Sequence, residues 1–173
     1  NSVVLYNIAG ASNAGLMQFD TAIDNYKQAL SIKPDYAEAY NNMGNALNGK
    51  GEPKAAIVSY KKALSIKPDY AEAHYNLGVA LYGEGDLETA IDNYNIAVLI
   101  KPDYAEAYNN MGAAQKDKGD LEAALGSYKQ ALLIKPDYFE AYNNMGVALR
   151  EKGDSEAAID RYKQALLIKP NYA

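Results

Sequence analysis

The chain has no cysteine and a single histidine, His74. Without thiols, disulfides, thiolate nucleophiles and cysteine metal sites are excluded. One imidazole rules out most catalytic triads and zinc sites as well. Basic residues are in deficit, 17 Lys and Arg against 22 Asp and Glu, for a net charge of −5. Phosphate-backbone binding rests on clustered cations, so nucleic acid is not an expected partner. Long hydrophobic runs are missing too. No stretch approaches the roughly 18 apolar residues of a membrane span, and no signal-type N-terminus is visible. The expectation is a protein without membrane insertion, resident in the cytoplasm. The periplasm stays open, because a lack of cysteine does not choose between them.

What the chain does have is a ruler. Lys-Pro-Asp-Tyr occurs at 33–36, 67–70, 101–104 and 135–138, and Lys-Pro-Asn-Tyr at 169–172. Pro34, Pro68, Pro102, Pro136 and Pro170 are therefore 34 residues apart each time. A constant period of that length marks a solenoid, in which one helix pair per repeat stacks on the next. The repeats run 3–36, 37–70, 71–104, 105–138 and 139–172. Asn1 opens almost inside a repeat and Ala173 follows the last motif at once, which reads as a piece of a longer chain.

Residues 37–70 show the logic of one repeat. Tyr40, Met43, Gly44 and Leu47 stand at i, i+3, i+4 and i+7, the apolar stripe of a first helix. Asp35 with Glu38 reads as a capping box before it. Gly49, Lys50 and Gly51 end it. Pro53 suits the first turn of a second helix, and Asp86, Asp120 and Asp154 are the N-caps expected in later repeats. That second helix carries Ala56, Ile57, Tyr60, Ala63 and Leu64 at helical spacing, with Lys67 complementing the dipole at its end. Gly10, Gly44, Gly78, Gly112 and Gly146 recur inside first helices, where glycine costs up to ~1 kcal/mol relative to alanine. A packing reason is required, namely close approach of the second helix.

The set Tyr40, Met43, Gly44, Leu47, Ala56, Tyr60, Ala63 and Pro68 resembles the tetratricopeptide repeat, and the resemblance covers essentially the whole chain. It implies an all-α, right-handed solenoid of helix–turn–helix repeats. First helices would line a concave groove that binds an extended peptide or a partner protein. In the second repeat, the groove then receives Glu38, Asn41, Asn42, Asn45 and Asn48. Asn42, Asn76, Asn110 and Asn144 form one row, and Asn41, Asn109 and Asn143 an interrupted second. An amide offers both donor and acceptor, the pair needed to hold a peptide backbone without reading its side chains. The rows resemble the asparagine ladder in the tetratricopeptide region of O-linked N-acetylglucosamine transferase. The bland alternative is that these amides tie adjacent helices together or are merely solvated. Chaperone-type capture of a C-terminal carboxylate is disfavoured, because Glu38, Glu72, Glu106 and Glu140 stand where that clamp carries lysine.

Departures from the repeat add candidates. In the third repeat Tyr75 replaces asparagine and Tyr82 takes the position of Asn48, Lys116 and Arg150. Seven residues apart, the two tyrosines share a helix face and are expected to form an aromatic anchor. The alternative is drift, with Tyr75 taking over packing from His74, itself read as a helix-contact residue rather than a ligand. Lys116 and Arg150 add positive charge toward the C-terminal half. Met17 stands where Gly51, Gly85, Gly119 and Gly153 do, and Ile8 replaces the row asparagine. The other tyrosines are accounted for as scaffold. No acid–base pair is pushed apart in environment, and no glycine-rich turn follows a strand. The expectation is no enzyme, no cofactor and no metal. Two competing readings remain. One is a non-catalytic arm of a larger glycosyl- or sulfotransferase. The other is homotypic assembly through the terminal repeats, since the last helix, 156–168, has no polar capping helix after it.

Overall fold

A computed structural model describes residues 2–171 and contains, among them, ten α-helices and no strand. They are α1 (Ser2–Gly15), α2 (Phe19–Ile32), α3 (Ala37–Gly49), α4 (Pro53–Ile66), α5 (Ala71–Gly83), α6 (Leu87–Ile100), α7 (Ala105–Asp117), α8 (Leu121–Ile134), α9 (Phe139–Lys152) and α10 (Ser155–Ile168). Odd-numbered helices are the first helices of the repeats and even-numbered ones the second. Contacts group them into two compact units, Asn1–Asp86 and Leu87–Ala173. In the first unit α1 packs on α2 and α3 on α4, while α2 also meets α3 and α4 meets α5. In the second unit α7 packs on α8 and α9 on α10, with α6 against α7 and α8 against α9.

The core is built from alanine and one aromatic ring per repeat. Ala22, Ala29, Ala56 and Ala63 are wholly buried on the second helices of the first unit, around Tyr26 and Tyr60. In the second unit Tyr128 packs with Ala124, Leu125, Met145, Ala148, Leu149 and Ala158. Small residues let the helix axes come close, and the tyrosine fills the volume that alanine leaves.

The first-helix glycines make room for that ring. A Cβ on Gly44 would lie 2.5 Å from Tyr60 Cε1, and one on Gly112 would lie 2.7 Å from Tyr128 Cε1. The close approach expected at these glycines is therefore that of an aromatic face, seated on bare helix backbone.

The turns follow the sequence reading in part. Asp120 and Asp154 accept from the N–H groups of Ala123 and Ala157, at 3.0 and 3.1 Å. The Asp35 capping box does not form. Asp35 lies in the turn, Tyr36 is the N-cap without a side-chain bond, and the helix starts at Ala37. Gly51, Gly85, Gly119 and Gly153 adopt positive φ, and Met17 takes the same left-handed turn at φ 59° with its side chain exposed. A Cβ there carries a steric cost. Met17→Gly is expected to raise stability by up to ~1 kcal/mol; an unchanged or lower denaturation midpoint would contradict this.

The Lys-Pro-Asp-Tyr lysines are not simply solvated. Nζ of Lys33, Lys67, Lys101 and Lys135 lies 5.0, 4.7, 4.5 and 4.6 Å from the ring centre of Tyr36, Tyr70, Tyr104 and Tyr138. Such cation–π contacts contribute about 0.5–1 kcal/mol at exposed sites and tighten each connecting turn. Tyr172, the fifth turn tyrosine, lies outside the described residues.

Burial raises the phenol of Tyr26 to about 12 and that of Tyr60 further. The folded chain thus keeps protons that an unfolded phenol releases near pH ~10. This contribution to stability is complete below pH ~10 and is lost as pH rises through the folded values. In an alkaline titration, the last tyrosinate absorbance should appear together with loss of helical circular dichroism. Full ionisation with the helices intact would sink the argument.

Candidate functional site

The asparagine rows lie on the first helices, and the structure shows what holds them. Asn41 is buried, 4% exposed, and so is Asn109 at 6%. Asn42, Asn76, Asn110, Asn143 and Asn144 are half-buried. The two rows are joined from one repeat to the next. In the first unit, Asn42 Nδ2 donates to Asn7 Oδ1 at 3.2 Å, and Asn76 Nδ2 to Asn41 Oδ1 at 3.0 Å. In the second, Asn144 Nδ2 donates to Asn109 Oδ1 at 3.0 Å, and Asn109 Nδ2 to Asn110 Oδ1 at 3.3 Å.

The connecting-turn tyrosines complete the arrangement. Asn7 Nδ2 donates to the Tyr36 hydroxyl at 3.3 Å, and the Asn41 amide bonds the hydroxyl of Tyr70. The Tyr70 phenol is raised, by burial first and then by the charges of Glu38 and Glu72, with the Asn41 bond opposing. A buried amide with both ends bonded stabilises by about 0.5–1.5 kcal/mol per bond, and an orphaned partner costs about 1–3 kcal/mol. Asn41→Ala strips both Asn76 and Tyr70 of a partner, so about 1–3 kcal/mol should be lost. Asn76→Ala orphans only the Asn41 oxygen, one partner in place of two, and should cost less. Equal midpoints for the two variants would refute this ordering.

Asn7, half-buried, belongs to the row of Asn41 and Asn109 although sequence reasoning did not place it there. The available signal was its spacing, one repeat before Asn41. Asn45 is engaged elsewhere, accepting from the Tyr60 hydroxyl at 2.8 Å. The matching positions in the other repeats are Ala11, Val79, Ala113 and Val147, so this bond belongs to one repeat alone.

Tyr75 and Tyr82 both lie on α5, half-buried, with His74 Nε2 3.0 Å from the carbonyl oxygen of Pro68. Lys116 Nζ is 2.6 Å from Asp117 and 3.9 Å from Glu151, contacts that hold its ammonium above the ordinary lysine range, the Asp117 bond foremost. It is a tie between α7 and α9 more than a free charge. Arg150 is exposed on α9. Among the described residues no group of three or more His, Asp or Glu is placed to hold a metal ion. No helix there is long and apolar enough to cross a membrane.

Paired helices repeated at a fixed period, stitched through polar rows on their first members, define a helical-repeat interaction scaffold. The chain belongs to the tetratricopeptide-repeat family. Its TPR repeat profile matches residues 18–51, 44–85, 80–119 and 115–150, and a tetratricopeptide repeat profile matches 139–172. No curated protein matches the sequence. Among solved structures, the chain is similar to MamA, at 31% identity and a TM-score of 0.86, over 93% of this chain and 94% of that one. MamA from Desulfovibrio magneticus RS-1 superposes with a TM-score of 0.90 at 20% identity, over 99% and 97%. YrrB, a TPR protein with an unusual peptide-binding site, aligns at 24% identity and a TM-score of 0.80, over 96% and 86%. These neighbours share the all-α TPR solenoid fold.

Proposed function

We propose that the first-helix face of each unit binds a partner protein through an extended peptide segment, held chiefly by its backbone. One observation carries this reading: Asn42, Asn76 and Asn144 are each oriented by an Nδ2 bond to the preceding repeat. That bond uses one of two N–H groups and leaves the amide oxygen outside it, on a half-buried side chain. The amides are thereby pre-set, so a ligand meets donors and acceptors whose ordering cost is already met by folding. Tying the helices together and gripping a peptide are two uses of the same side chain.

Packed helices lie ~8–10 Å apart, and an extended strand advances ~3.3 Å per residue. Successive row amides then meet about every third residue of a bound segment. Asn41 and Asn109 act from beneath, as the buried acceptors that fix their neighbours. On α5, Tyr75 and Tyr82 supply apolar contact. In the second unit, Asn110, Asn143, Lys116 and Arg150 on α7 and α9 supply polar contact. The likeness to YrrB supports a peptide as the ligand class. Nothing in the set calls for a cofactor, a metal or catalysis.

The test is selection of peptides from a random library against the chain. Chosen peptides are then re-measured on Asn42→Ala/Asn76→Ala/Asn144→Ala, with circular dichroism as the folding control. Binding should fall by about tenfold or more. N-methylation of the peptide backbone should weaken it more than replacement of most peptide side chains. Peptides that bind the folded variant as well as the parent would refute the proposal.

A further inference from the structure

The second helices carry a different chemistry. We propose that the cleft between α8, α9 and α10 in the second unit docks a partner segment that sets a large apolar side chain beside a carboxylate. The cleft encloses about 410 Å³ in its first-unit counterpart and about 380 Å³ here, and is lined here by Lys129, Leu132, Leu133, Tyr142, Met145 and Arg161. That size lies at the lower end of ligand clefts. Apolar and aromatic side chains form the lining under two cations, and no carboxylate among the described residues contributes to it.

The cations are not answered along their own helices. Positions three and four residues from Lys129 are Leu125, Gly126, Leu132 and Leu133, and those around Arg161 are Ala157, Ala158, Gln164 and Ala165. Intrahelical ion pairs need an acid at one of these places. Arg161 is also the exception at its repeat position. Asn25, Ser59 and Asn93 stand there in other repeats and bond back to carbonyls of their own helix, while Ser127 bonds Gln115. The last repeat replaces a self-satisfied side chain with a charge at the mouth of an apolar cleft.

Exposed leucine accompanies it. Leu99, Leu133 and Leu167 share one repeat position and are 81, 75 and 74% exposed, where α2 and α4 carry Ser31 and Ser65. Leu167 forms a second cleft with Leu166 and Lys163, so the pairing of leucine with cation recurs. The first-unit cleft differs in kind, because its rim is closed on itself. Lys50 pairs with Asp20 at 2.7 Å and Glu52 at 2.9 Å, and Lys27 with Asp24 at 3.5 Å. Unanswered positive charge beside exposed leucine calls for an acidic, apolar partner.

The probes are short fluorescein-labelled peptides in which leucines alternate with Asp and Glu, with lysine-for-acid and serine-for-leucine counterparts, titrated by anisotropy. Leu133→Ser and Arg161→Ser import residues that other repeats already carry at those positions, so folding should be unaffected. The acidic leucine peptide should bind best, and each variant should weaken it by about tenfold. Lys129→Glu with Arg161→Glu should move the preference to the lysine peptide. Undiminished binding to these variants would overturn the proposal. So would loss of binding in Asn110→Ala/Asn144→Ala instead, which would assign the peptide to the first-helix face. A self-associated chain that Leu133→Ser dissociates, and that the peptides do not compete with, would assign the cleft to a second copy and overturn it equally.

Discussion

Gly44→Ala is expected to destabilise the protein by about 1–3 kcal/mol, although alanine favours a helix interior by up to ~1 kcal/mol over glycine. The sign is decided by the ring of Tyr60. The new Cβ would sit 2.5, 2.7 and 2.9 Å from its Cε1, Cδ1 and Cζ atoms, and all three belong to a buried side chain. The ring cannot step aside cheaply. It is packed among fully buried alanines, and its hydroxyl donates to Asn45. Either the ring leaves its rotamer or α3 and α4 move apart, and both lose contacts along the helix pair. Chemical denaturation followed by circular dichroism measures the change. A second variant checks the cause. On a Tyr60→Leu background the ring is gone, so Gly44→Ala should become neutral or stabilising. A Gly44→Ala protein more stable than its parent, with Tyr60 intact, would mean that propensity outweighs packing.

Tyr128→Ala should be costlier still, about 3–5 kcal/mol, the range for emptying a large aromatic site. Tyr128 is wholly buried, against Leu125, Met145 and Leu149. Its removal strips the ring of transfer energy and leaves a void walled by helices that are already in contact. Proteins are typically stable by only about 5–15 kcal/mol, so the loss is a large share of the whole. Tyr162 supplies the internal comparison. It holds the same repeat position and overlies Gly146 in the same way, yet it is only half-buried. Tyr162→Ala should therefore cost clearly less than Tyr128→Ala. Similar losses at the two sites would show that repeat position, and not burial, sets the energy.

Much of the fold was legible in the chain itself. The 34-residue spacing of prolines, the i, i+3, i+4, i+7 stripes, the turn glycines and the caps at Asp120 and Asp154 each have a local cause that sequence displays directly. Three readings depended on more. Asp35 looked like a cap, but the Pro34–Asp35 turn carries it past the helix start, and Tyr36 takes that place. Tyr40 looked more buried than Asn41, as hydrophobicity dictates. The structure reverses the order, because Asn41 finds Asn76 and Tyr70 as partners and so loses little on burial. Lys67 read only as a cation for the helix end, and it and the equivalent motif lysines also lie over their own motif tyrosines.

The candidate face was half legible. Asparagine rows are visible as a recurrence, but which amide donates to which is a matter of neighbouring helices, and no single repeat contains the pair. Asn7 went unnoticed for that reason. Lys129 and Arg161 did too: each looks like an ordinary surface cation until the helices place both over Leu132, Leu133 and Met145.

Sequence alone determined the period, the helices and the class of fold, because each rests on short-range spacing and on backbone preferences that a residue carries with it. Tertiary structure decided the rest: why glycine must face the Tyr60 ring, which asparagines are buried, and where charge is left unanswered. Those outcomes depend on what a neighbouring helix brings within a few ångströms, and a linear spacing does not encode that distance.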